Sequence, residues 1–320
     1  MSMRRSVLVL AAIASVWMTL AVAQQVRYFP LPSGAGPHDV APAPDGTIWY
    51  TAQRAGALGR LDPANGKAEQ IPLGRGSAPH GVIVGPDSAA WVTDSGLNAI
   101  VRVDPKTRDV KTFPLPAGTP NANPNTAAFD RNGELWFTGQ SGYYGSVDPK
   151  SSEVRAWEAP RGRGPYGIAA NPAGDVYYVS LAGNHLAQID IKTGAATVIE
   201  PPTPRQGARR VWSDSKGRLW ISEWNSGYVS AYEPATKRWS QWKLPGDSPR
   251  VYSVYVDERD KVWLTDFGAN AIVRFDPTTE KFESFPSNKS GASVRQMLGR
   301  AGEAWGAESG NDRLVVVRTQ

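Results

Sequence analysis

The chain has 320 residues, 41% of them apolar and 20% charged, a balance that buries a sizeable core and excludes a disordered polymer. It has no cysteine and three histidines, which rules out disulfide staples and thiolate nucleophiles and argues against structural zinc. The net charge of +5 is scattered among acids rather than gathered in a stripe, so nucleic acid is not an expected partner.

The N-terminus reads as an export signal. Met1 to Arg5 is short and basic, Ser6 to Leu20 carries no charge, and Ala21-Val22-Ala23 is a small-x-small cleavage site. This order predicts a signal peptide over 1–23 and a periplasmic or secreted domain over 24–320. The alternative is an uncleaved anchor, for which the apolar run is short against the roughly 20 residues of a span. Cleavage removes Arg4 and Arg5 and no acid, which takes the charge from +5 to +3.

Next comes Val26-Arg27-Tyr28-Phe29-Pro30-Leu31, an outer-strand pattern with no unit of its own. Beyond it the chain repeats. Trp49, Trp91, Trp136, Tyr177, Trp220, Trp263 and Trp305 recur at intervals of 42, 45, 41, 43, 43 and 42 residues. Turn signals such as Asp45-Gly46 and Lys216-Gly217 precede these markers, and Asp62-Pro63, Asp104-Pro105 and Asp148-Pro149 follow. Four short strands per unit of this length predict an all-β, seven-bladed propeller. The markers read as wedge-filling aromatics between sheets. The seventh unit has only three strands before the chain stops, so the N-terminal strand is expected to complete it and remove the exposed edge.

In this topology the start of each first strand and the end of each second strand meet at one rim. Eleven residues before the markers stand His38, His80, Asn125, Tyr166, Arg209, Tyr252 and Val294; three residues after them stand Ala52, Asp94, Gly139, Ser180, Glu223, Asp266 and Glu308. These positions change from blade to blade while the scaffold repeats, which is where a propeller carries function. Histidine beside carboxylates suits general-base chemistry, and carboxylates suit a hard cation. Plainer roles stay open: a histidine at a strand start also lines a wet channel, and an acid at a strand end also accepts from loop amides. His185 reads as structural. No Walker loop, dinucleotide fingerprint, His-Glu-x-x-His or Gly-x-Ser-x-Gly occurs.

The run Pro79-His80-Gly81-Val82, Gly85-Pro86-Asp87, Trp91-Val92-Thr93-Asp94 and Asn98 to Asp104 resembles the streptogramin lyase (virginiamycin B lyase) family, and Glu134 to Thr138 and Asn270 to Arg274 repeat the look. The resemblance implies a seven-bladed propeller and magnesium-dependent C–O elimination on a cyclic depsipeptide ester. In linear register Val294 stands at the family's base, Ala292 at its preceding glutamate, Tyr252 at its earlier histidine and His38 at its tyrosine. Only Glu308 falls near a family acid. A rotated assignment places the base on the adjacent pair His38 and His80.

Two functions are therefore expected from the same rim. One is an exported lyase-like enzyme with His80 as base, His38 as second acid or base, and Asp94 and Glu308 around a divalent cation, which the resemblance implies is Mg2+. The other is a non-catalytic monomer that binds a small molecule, peptide, glycan or protein through Tyr166, Arg209, Arg210, Glu223, Trp224, Tyr252 and Asp266.

Overall fold

The structure is a computed structural model and describes residues 26–319. The expected signal at 1–23 lies outside the described residues. Seven four-stranded antiparallel sheets form the ring, each built from strands consecutive in sequence except the last. In that sheet Val26–Pro30 pairs with Arg313–Arg318, bringing Val26 opposite Val317 and Phe29 opposite Leu314. The closure expected from sequence is present. Among the described residues the helical content is one short 3-10 turn, Gln53–Ala55, and no helix is long and apolar enough to cross a membrane.

The seven markers are essentially solvent-free and fill the spaces between neighbouring blades. Their indoles are also tied locally. Trp136, Trp220 and Trp263 each donate Nε1–H to an aspartate six residues earlier, at 3.0, 3.0 and 2.9 Å. That aspartate also accepts from amides of the intervening turn, so one carboxylate fixes both the turn and the aromatic wedge.

Each innermost strand carries a β-bulge near its start. In blade one Pro37 faces Ala52 and Val40 faces Tyr50, so His38 and Asp39 together oppose Thr51. The same slip follows Pro79, Pro124, Pro165, Ala208, Val251 and Val294. A bulge breaks strict alternation and re-aims side chains. Consecutive residues such as His38 and Asp39, or Arg209 and Arg210, consequently both reach the channel cluster.

Hydroxyls two residues after the markers hold the bulges. Thr93 Oγ1 accepts from Gly81 N–H at 2.9 Å and donates to the Asn125 carbonyl of the next blade at 2.6 Å. Thr51 links Asp39 N–H to the His80 carbonyl in the same way, and Ser222 links Arg210 N–H to that of Tyr252. Each hydroxyl satisfies an amide freed by the bulge and stitches two blades together.

One register differs from the sequence expectation. Val294 pairs with Glu308 and so occupies the position of Pro37 and Pro79, because the turn before Trp305 is one residue shorter. The channel residues of blade seven are therefore Arg295 and Gln296.

Candidate functional site at the channel rim

His38 and His80 face each other with ring centroids 3.8 Å apart. Their environments differ. His38 Nδ1 lies 2.7 Å from Asp39 Oδ1, which fixes Nδ1–H as donor and leaves the Nε2 lone pair pointing 3.4 Å from the Tyr252 hydroxyl. His80 is held by Asn125 on both nitrogens, through the backbone carbonyl at Nδ1 and the side-chain amide at Nε2, each at 3.1 Å. His38 thus presents a base to a phenol, whereas His80 has both nitrogens engaged.

Burial and three guanidiniums set the protonation states. Burial, then Arg210, Arg295 and Arg209, hold His38 well below the usual imidazole range. Burial and the neighbouring His38 do the same for His80. Burial raises the Asp39 carboxyl, with Arg210 pulling against it. Both imidazoles are therefore neutral bases at physiological pH.

Above them lies a pair of phenols. Tyr166 and Tyr252 hydroxyls are 2.6 Å apart, and Arg209 Nη2 donates to Tyr166 at 3.0 Å. The Arg209 guanidinium rests on the Tyr252 ring, 3.7 Å from its centroid. Burial opposes ionisation of Tyr252, but Arg209, Arg210 and Arg295 outweigh it and bring the phenol below its ordinary range. Burial and the adjacent Tyr252 push Tyr166 the other way. Of the two phenols, Tyr252 is the one held closer to ionisation.

The outer layer is aromatic and cationic. Phe267 stacks on Tyr252 at 4.9 Å, Trp224 meets Phe267 edge-on at 5.4 Å, and Arg209 and Arg250 lie over the Trp224 ring at 4.8 and 5.4 Å. Arg210 is deeper, ion-paired with Asp39 at 3.1 Å and donating to Thr126.

Of the residues singled out from sequence, His38, His80, Tyr166, Arg209, Arg210 and Tyr252 are brought together. The acids are not. Asp94 Oδ1 accepts from the amides of Ala78, Gly96 and Leu97, and Oδ2 from Ser77. Asp266 accepts from Arg250 and Gly268 amides, Glu223 from Gln241 and Ser226, and Glu308 from Ser287 and Arg313. These carboxylates close rim loops, the plainer role that sequence left open. Asn125 stood on the ring with no role assigned to it, and Asp39, Thr126 and Arg295 were missed. All lie on the bulges, and the three missed residues directly follow the ring positions His38, Asn125 and Val294, which was the available signal.

Among the described residues the one group of three potential metal ligands is His38, Asp39 and His80. It does not fit magnesium. That ion favours an all-oxygen octahedron, while this group offers two nitrogens and one carboxylate. The carboxylate is already paired with Arg210, and His80 is held by Asn125.

A ring of seven blades with a histidine–phenol–guanidinium cluster at one end of the channel defines a propeller with a polar site at its axis. The profile of the Virginiamycin B lyase family matches residues 15–247, and the chain belongs to that family. Virginiamycin B lyase from Staphylococcus aureus is similar in structure, at 20% identity and a TM-score of 0.85, over 92% of this chain and 99% of that one. A catalytically inactive histidine-to-alanine form of the S. aureus lyase with quinupristin matches at 21% identity and 0.84, over 92% and 99%. The structure described as YCF48 bound to D1 peptide matches at 15% identity and 0.72, over 92% and 96%. No curated protein sequence matches the chain.

Proposed function

We propose that this chain is a metal-independent carbon–oxygen lyase acting at the rim of its propeller channel. The observation that carries this reading is the alignment Asp39–His38–Tyr252. A carboxylate orients a neutral imidazole, whose free nitrogen faces a phenol shifted towards ionisation by three guanidiniums. The 3.4 Å contact is long for a hydrogen bond, as catalytic contacts commonly are before substrate binds.

Elimination needs a base for the proton alpha to a carbonyl and positive charge for the oxygen that becomes enolate-like. Tyr252, with His38 behind it, supplies the base; Arg209 and Arg295 supply the charge. The donor set argues against magnesium in that second role. His80 becomes a packing partner that keeps His38 in place, in contrast to the base role expected from sequence. Export follows from the Arg4-Arg5, apolar core and Ala21-Val22-Ala23 order.

A cleavage screen over cyclic depsipeptides, lactones and uronide oligosaccharides, read by the ultraviolet absorbance of the new conjugated double bond, tests the reading. Parent protein should form unsaturated product from some member, and His38→Ala should lose it while melting cooperatively. If no member is cleaved but a member binds, the rim is a binding surface and the lyase reading fails.

A further inference from the structure

Ion pairing at the rim is incomplete: Arg54 pairs with Asp312, Arg161 with Glu200 and Arg313 with Glu308, but not every arginine nearer the channel has an acid within reach. Arg209, Arg250 and Arg295 have no carboxylate partner among the described residues, although acids pair with arginines over much of the ring. Arg75, Arg163 and Arg205, in loops at the same end, are exposed and equally without an acid. The acids of the Asp62, Asp104, Asp148 and Asp276 turns lie at the opposite end, and Asp94, Asp266 and Glu308 at the rim are buried in loop contacts. Glu200 and Asp312 are paired with Arg161 and Arg54, and Asp247 stands exposed three residues before Arg250. Arg209 donates from Nη2 to Tyr166, but its Nε, like that of Arg210, is buried with no hydrogen-bond partner. A buried, unpartnered guanidinium donor is costly unless something completes it.

We infer that the rim is a carboxylate receptor and that the ligand is a chain of 4-linked uronic acid residues. The inference rests on the lyase reading for the choice of a uronide, but the carboxylate site stands on the arginines alone. Arg209 would take the carboxylate, and Arg250 and Arg295 would flank it beside the Trp224 and Phe267 side chains. Guanidinium is the planar donor suited to such an anion. A neutral depsipeptide offers these arginines carbonyl oxygens but no charge, whereas a carboxylate supplies both.

A 4-linked uronide also fits the base. Its C5–H lies alpha to the carboxylate, and its C4 carries the glycosidic oxygen. The phenolate form of Tyr252 takes the C5 proton, the C–H electron pair becomes the C4–C5 double bond, and the C4–O pair leaves on the glycosidic oxygen. That oxygen then receives the proton through Tyr252 and Tyr166. Neutralising the carboxylate on Arg209 is what makes the C5 proton removable. Because Arg209 covers the Tyr252 ring, a carboxylate that draws the guanidinium outward also uncovers the phenol.

The test is titration calorimetry of the parent with oligogalacturonate, with its methyl ester and with a peptide acid, beside the absorbance assay. Oligogalacturonate should bind, with affinity falling as salt rises. The methyl ester should bind at least tenfold more weakly. Arg209→Met and the exposed Arg250→Ala should each weaken binding, roughly 10- to 100-fold for Arg209, by loss of a charge-assisted bond. The Arg250 variant keeps the test open if Arg209→Met misfolds. Binding without cleavage supports the receptor and sinks the lyase reading. Equal binding of acid and ester, or preference for the peptide acid, overturns the inference.

Discussion

Arg210 of blade five reaches across the channel to Asp39 of blade one: its Nη2 lies 3.1 Å from Oδ1, and both side chains are 2% exposed. The contact spans residues distant in sequence and locks the position of Asp39, which in turn orients His38. A buried pair of this kind adds little over an apolar pair, but breaking it leaves an uncompensated charge.

Asp39→Asn and Arg210→Met should each therefore destabilise the fold by about 3–5 kcal/mol. The double variant Asp39→Asn/Arg210→Met should cost less than the two single losses combined. Urea unfolding of the four proteins measures both the losses and the coupling. Additive losses would show that the two charges do not stabilise each other.

Stability should fall when the pH is lowered from neutral. His38 and His80 have folded-state values depressed below the unfolded reference of about 6.5, so below that pH the unfolded chain binds protons the folded one refuses. The contribution is fully present above 6.5 and is lost progressively as pH falls towards the folded values. Asp39, raised by burial, acts in the opposite sense in the carboxylate range. Melting temperatures measured from neutral pH down to mildly acid pH should show the decline, and His80→Gln should flatten it. A pH-independent melting point would contradict buried neutral histidines.

Ring closure makes Phe29 a core residue despite its place near the start of the described chain. It is 3% exposed and stacks on Trp305 at 5.3 Å. Phe29→Ala should cost about 3–5 kcal/mol, the range for a large aromatic removed from a core. Arg27→Ala on the same strand should cost no more than about 1 kcal/mol, since that side chain is exposed and its guanidinium adds only a cation–π contact with the Phe29 ring. Equal, small effects would mean that the strand is an accessory to blade seven.

The fold was legible because its signal is periodic. Seven aromatics near 42-residue spacing, each beside a turn, specify blade number and even the missing strand. The site was legible only in part, because the bulges break the alternation from which facing is read. His38 and Arg209 were found at their ring positions, while Asp39 and Arg295, one step along or displaced by the shorter turn of blade seven, were not. The acids misled for a related reason. Register places Asp94 opposite Pro79 at the rim, but whether its carboxylate turns to the channel or to the Ala78 and Leu97 amides depends on loop conformation, which spacing does not encode.

The central claim is that Tyr252, activated by His38 and aided by guanidiniums, starts an elimination without a metal. Initial rates on a cleaved substrate should be compared for parent protein, parent treated with a chelator, and Tyr252→Phe, which keeps the ring stacked on Phe267. The account predicts that the chelator leaves the rate unchanged and that Tyr252→Phe lowers it about 100- to 10,000-fold, the range for loss of a positioned base. A rate abolished by the chelator, or a Tyr252→Phe protein as fast as the parent, would contradict it.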